Sequence, residues 1–270
     1  MTPLANGSTP ELPAPFGAPL FFPLAEWLAR LPGQPDSAAL AALVAEANLR
    51  TESGQPLSLV PPPEDGEGYE ARIWRCGQVE TRPDNWHDFF NGLVWLAFPR
   101  AKSALNARHA RAMAETPGEG RGTVRDAMTH FDECGLVVVS ADPSLLDLIR
   151  DFRWTELFWQ RRAELASTMA FYVFGHATYE SLLQPFRGLT AKAVLYEEEG
   201  AWLAQPVAQQ RADIDRRLAG ELASGRYASP RELQPVPLMG LPGLTQDNER
   251  ADYYADTWQF RPGRRSRGSV

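Results

Sequence analysis

Cysteine is nearly missing from this 270-residue chain, which holds only Cys76 and Cys134. Two thiols cannot build a four-cysteine zinc site and set out no disulfide framework, so a reducing compartment is expected. Positive charge is short as well: 27 Lys and Arg stand against 34 Asp and Glu, for a net charge of −7. That balance argues against a general nucleic-acid coat or a protein that clings to anionic lipid, since both need cationic surface. Long apolar runs are also wanting. The oiliest early stretch, "LPAPFGAPLFFPLA", is broken by four prolines, and the first basic residue is Arg30. It fits neither a secretory signal nor a membrane span. A cytoplasmic protein without a membrane partner is expected. The common glycine-rich nucleotide loops, the HExxH zinc helix and the GxSxG elbow do not occur either.

The residues present describe an ordinary globular protein. Hydrophobic residues make up 44%, with eight tryptophans, enough to bury a substantial core. Twelve of the 23 prolines fall within the first 63 residues. Fixed φ and a missing donor predict extended chain lying against the body there. The fold class expected is α+β, a helix-rich single domain with one or more short β-hairpins and a proline-rich N-terminal wrap. Residues 1–19 are the extended segment, 20–262 the globular domain and 263–270 a basic mobile tail. Arg261, Arg264, Arg265 and Arg267 crowd that end. Nucleic acid is an unlikely partner apart from this tail, and a solvated end explains it as well.

Local signals place the elements. "DSAALAALVAEANLR" predicts a helix capped by Asp36 or Ser37, and "ADPSLLDLIRDF" another, with Asp142 as cap and Pro143 at its first position. "YEARIWRCGQVETR" reads as a hairpin turning near Gly77. "VRDAMTHFDECGLVVVSAD" reads as two strands around a turn at 132–135, with Gly135 supplying a positive φ. "LTAKAVLY" reads as a strand and "PVAQQRADIDRRLAGELASG" as an exposed helix.

One segment poses a chemical question. "DNWHDFFNGLVWLAFPR" (84–100) sets His87, Asp88 and Asn91 into an otherwise oily helix, whose apolar side chains sweep roughly 200° of its surface. His87–Asn91 and Asp88–Asn91 are four and three apart, so these side chains can meet. A structural reading makes Asn85 the N-cap and Asp88 an acid that answers the helix dipole. A reactive reading makes the trio one wall of a pocket. Lys102, Asn106 and His109, spaced four then three, share a face of the next helix, where surface or capping roles are the commoner fate. On a strand, Asp126, Met128, His130 and Asp132 would share a face, so that Asp126, His130 and Asp132 could hold a metal or move protons. The alternative makes Asp132 and Glu133 turn residues, and Arg125–Asp126 a local ion pair. His176, in "FYVFGHATYE", has the most apolar surroundings of the four histidines; a neutral imidazole hydrogen-bonded within the core is the usual outcome there, and a functional role is the alternative.

Five blocks in order, "NWHDFFNGLVWLAFPRAKSALNARH", "RDAMTHFDECGLVVVSADPSLL", "FRWTELFWQRR", "VFGHATYESLLQPFRGLTAKA" and "LPGLTQDNERADYYADTWQFRP", resemble one bacterial family. It is catalogued as domain of unknown function three thousand and twenty-five, and the resemblance spans about residues 20–262. It implies no activity, cofactor or site residue, so the residues must carry the functional reading themselves. Two readings stand. In one, His87, Asp88, Asn91, Asp126, Asp132 and His176 line a hydrolase pocket, with a divalent metal as the cofactor such a cluster could take. Arg121, Arg125 or Lys102 would then meet a small anionic ester or amide. In the other, the polar stripe is a buried network inside a non-catalytic scaffold.

Overall fold

The computed structural model of the chain describes residues 15–31, 33–115 and 122–263. It is a helix-rich α+β protein. Phe16, Leu20, Phe21 and Leu24 are buried where the chain enters through a 3-10 turn at Pro19–Leu24 and the short α1 (Ala25–Leu28). Helix α2 (Ser37–Ala47) starts where the Asp36 carboxylate accepts the Ala39 N–H at 2.9 Å. It stops at Asn48, which takes left-handed backbone at φ 48°. A hairpin-like turn follows, in which the Thr51 N–H donates to Gln55 and the Leu57 N–H to Leu49.

Strand β1 (Ser58–Val60) pairs in parallel with β2 (Gln78–Glu80), and α3 (Tyr69–Cys76) lies between them. The hairpin expected near Gly77 is therefore a helix followed by a strand. Tyr69, Arg72, Ile73 and Cys76 recur at helical spacing, and that period outweighs the strand character of single residues. Gly77 closes the helix at φ 70°, its N–H bonded to the Ile73 carbonyl at 2.8 Å. A side chain there would strike the Pro56 carbonyl.

Helix α4 (Trp86–Ala97) begins as expected, with the Asn85 side chain accepting the Asp88 N–H at 3.0 Å. Every residue from Asp88 to Ala97 is buried, so Asp88 and Asn91 face mostly protein, while His87, one position earlier, is half-buried. Phe98, at φ −134° and ψ 58°, breaks the helix. Pro99 opens α5 (Pro99–Glu115), where a missing N–H costs nothing. Lys102, Asn106 and His109 are all buried on α5, which overturns the surface reading of that face.

The second expected hairpin is also a helix. The chain runs through α6 (Thr123–Cys134) directly into β3 (Gly135–Ser140). Val124, Ala127, Met128 and Phe131 form a helical apolar stripe that the alternation of polar residues had masked. Gly135 has φ −64°, not a positive value; a side chain there would meet the Phe131 carbonyl instead. Asp126 and His130 consequently do not share a strand face with Asp132. Helix α7 (Pro143–Arg150) then starts at its predicted Asp142 cap, with Ser144 N–H to Asp142 at 3.0 Å.

A π-helical turn at Glu156–Gln160 leads into α8 (Arg162–Thr168), β4 (Met169–Val173) and α9 (His176–Ser181). After β5 (Thr190–Glu197), as expected, come α10 (Gly200–Leu203), α11 (Val207–Ala223) and β6 (Gln234–Pro237). The sheet order is β4-β3-β5-β6, with β3 parallel to β5 and antiparallel to β4. All six residues of β3 are buried, as a central strand covered on both faces requires. Helix α11 is docked rather than free: Ile214, Leu218 and Leu222 are buried, and Asp215 accepts the Arg100 and Ala101 N–H groups at 3.2 and 2.8 Å. Both cysteines are unpaired, and among the described residues no helix is long and apolar enough to cross a membrane. Residues 1–14 and 264–270, which hold most of the proline-rich segment and the tail arginines Arg264, Arg265 and Arg267, lie outside the described residues.

Candidate metal centre

The first turn of α4, the C-terminal turn of α6 and the start of α9 meet at one end of a cleft of about 620 Å³. Helix α4 supplies His87, α6 supplies Asp132 and Glu133, and α9 supplies His176 and Glu180. Gly175 makes this meeting possible. Its N–H, like that of Phe174, donates to the Gly135 carbonyl at 2.9 Å. A side chain at 175 would collide with the backbone of Glu133 and Cys134. The absence of one therefore lets His176 sit directly on the α6–β3 junction.

The two imidazoles face each other edge to face, their Nε2 atoms 3.0 Å apart. Glu133 Oε2 lies 3.9 Å from His87 Nε2 and 3.6 Å from His176 Nε2. Two nitrogens on one tetrahedral zinc, with bonds of about 2.0–2.1 Å, stand about 3.3 Å apart. The three ligand atoms, all within 4.8 Å of one another, thus lie within roughly half an ångström of the separations of a two-histidine, one-carboxylate set.

The outer atoms of both rings face carboxylates. His87 Nδ1 bonds Glu180 Oε2 at 3.0 Å, and Asp132 Oδ2 stands 3.7 Å from His176 Nδ1. A carboxylate hydrogen-bonded to the far nitrogen is the usual partner of a metal-ligating imidazole, since it fixes the tautomer that presents a bare Nε2. Glu180 does this for His87, whereas His176 Nδ1 has no hydrogen bond and Asp132 acts on it only through charge. With its Nδ1 proton shared with Glu180, His87 turns an Nε2 lone pair toward His176. That ring can donate its own Nε2–H to this lone pair, or, as the other tautomer, turn a second lone pair toward it, where a cation would bind between the two.

Electrostatics agree with the geometry. Burial, reinforced by the positive charge of Lys102, drives His176 down to about 3 against the pull of Asp132, so the ring is neutral and able to ligate. Burial also pushes the Glu133 carboxyl up, with Asp132 adding to the effect. Asp132 behaves oppositely. Burial opposes its charge, but the Lys102 ammonium prevails and holds its carboxyl below the usual range. Lys102 Nζ reaches Asp132 Oδ1 at 2.5 Å and Asn91 Oδ1 at 2.9 Å, and Asn91 Nδ2 donates to the Tyr69 hydroxyl at 2.6 Å.

The sequence candidates therefore separate. His87, Asp88, Asn91, Asp132 and His176 line the same cleft, whereas Asp126 does not and exposed His130 lies elsewhere. Asp88 is occupied by Arg82, through Nε at 2.8 Å and Nη2 at 2.9 Å, and Asn91 is spent on Lys102 and Tyr69. Neither is placed to react. Glu133 and Glu180 were missed. A helical reading of 123–134 would have turned Glu133 toward the cleft beside Asp132, and Glu180 follows His176 by one helical turn. Of the expected anion partners, Lys102 is taken by Asp132, Arg121 lies outside the described residues, and Arg125 lines the cleft.

A helix-rich α+β body with a histidine–carboxylate cleft is thus the class of molecule in hand. The family described as Protein of unknown function (DUF3025) matches residues 59–264, and the chain belongs to it. No curated protein and no solved structure matches.

Proposed function

We propose that this protein is a divalent-metal hydrolase acting on a small anionic ester or amide. The observation that carries the reading is the convergence of His87 Nε2, His176 Nε2 and a Glu133 oxygen in the lining of a cleft, each ring backed by a carboxylate. His87, His176 and Glu133 would hold the cation, and a bound cation would supply a water acidified toward neutrality. One water then adds across the scissile bond. Its oxygen bonds the carbonyl carbon, the bond to the leaving oxygen or nitrogen breaks, and the leaving atom takes up the proton. Two unpaired thiols fit a cytoplasmic setting for this chemistry.

The buried Lys102–Asp132–Asn91–Tyr69 network favours the scaffold reading as a second possibility, because every member already has a partner. It does not account for His87, which keeps 31% of its side chain exposed toward the cleft. Protein stripped with a chelator and reloaded with zinc, manganese or magnesium should take up one equivalent of at least one of them. It should then hydrolyse some member of a panel of nitrophenyl carboxylic esters and anilides. His87→Ala should abolish both while leaving the circular dichroism spectrum intact. Uptake unchanged by that substitution, or no uptake at all, would overturn the reading.

A further inference from the structure

Basic groups around the cleft are matched to acids, with one exception. Arg82 is held by Asp88, Lys102 by Asp132, and Arg72, just behind the wall, by Asp65, Glu67 and Glu80. Arg125 lines the same cleft, and among the described residues it has no side-chain hydrogen bond or ion pair; its Nε is buried and unsatisfied. A half-buried guanidinium without an acid leaves strong donors unpaired, and a fork of parallel N–H groups suits a planar or tetrahedral anion.

Its place on α6 relates it to the metal centre. Arg125, Thr129, Asp132 and Glu133 fall within about 100° of helix arc, and Arg125 precedes Glu133 by roughly 12 Å of axis at 1.5 Å per residue. All four line the cleft. We infer that Arg125 is the anchor for the anionic end of the substrate and holds it about two helical turns from the scissile bond. This rests on the hydrolase reading and sharpens it. The substrate is an elongated small molecule whose terminal carboxylate or phosphate is well separated from the ester or amide that reacts. A cleft of about 620 Å³ is of the size that takes such a molecule.

The test uses full-length, chelator-treated protein, so that an anion cannot be held by a metal. Binding of inorganic phosphate and of glutarate is followed by calorimetry for wild type, Arg125→Gln and Arg125→Lys. At least one anion should bind the wild type about ten- to a hundredfold more tightly than Arg125→Gln, with Arg125→Lys between them. The anion that shows the difference identifies the end group. Equal binding by wild type and Arg125→Gln, or binding of neither anion, overturns the inference. Zinc uptake by the same variants keeps the two claims apart. Arg125→Gln should take up metal like the wild type, so lost anion binding with intact metal uptake supports the anchor. Arg125-dependent anion binding in a protein that takes up no metal would leave the anchor standing and remove the hydrolase reading.

Discussion

His87 and His176, 89 positions apart in the chain, hold their Nε2 atoms 3.0 Å from each other in the lining of the cleft. Each ring has a carboxylate on its outer side, Glu180 for His87 and Asp132 for His176. If these acids position the rings, removing the exposed one should weaken metal binding without unfolding the protein. Glu180→Gln is expected to lower zinc affinity about ten- to a hundredfold. Competition against a chromophoric chelator measures it, and unchanged affinity would leave Glu180 without a positioning role.

Lys102 and Asp132 form a different kind of pair, buried on both sides, with side-chain exposures of 3% and 10%. Lys102→Met strands the Asp132 charge in the interior and should cost about 3–5 kcal/mol. Arg82, whose side chain is 56% exposed, pairs with Asp88 at the rim. Its Coulomb gain is screened, so Arg82→Met should cost about 1 kcal/mol or less. Urea unfolding of both variants checks the contrast, and equal losses would contradict it.

Gly175 places His176. A methyl group there meets the backbone of Glu133 and Cys134, so Gly175→Ala should push α9 away from the α6–β3 junction at a cost of about 1–3 kcal/mol. Zinc affinity should fall in the same variant. Gly220, in α11, has nothing near its missing side chain and serves as the control. A calorimetric melt of Gly220→Ala should show no loss.

Asp215, on α11 and outside the cleft lining, gives a separate pH dependence. Burial raises its carboxyl above the ordinary value, although two backbone N–H groups favour its charge. The folded protein therefore keeps this proton at a pH where the unfolded chain has released it. The group's contribution to stability is fully present below about pH 4 and is lost as pH rises through the raised folded value. Asp215→Asn removes that slope. Urea midpoints between about pH 4 and pH 7 should fall more steeply for wild type than for the variant, and parallel curves would contradict the assignment.

Much of the fold could be read from local chemistry. Asp36, Asn85 and Asp142 cap the helices they were expected to cap, because a cap is decided within three or four residues. The two hairpins failed for one shared reason. At 69–76 and 123–134, apolar residues at helical spacing compete with polar alternation, and docking against α5 decides between the periods. The same error hid Glu133, which as a turn residue had no chemistry to do. His87, Asp132 and His176 were legible as candidates in apolar surroundings, yet their convergence depends on α9 packing against α4 and, through Gly175, against the α6–β3 junction.

The most direct test of the metal centre is anomalous diffraction from crystals of the full chain soaked in zinc, recorded at the zinc edge. The account predicts one peak at about 2.0–2.2 Å from His87 Nε2, His176 Nε2 and a Glu133 oxygen. A map with no peak between the two rings, in crystals that carry zinc elsewhere, would contradict it.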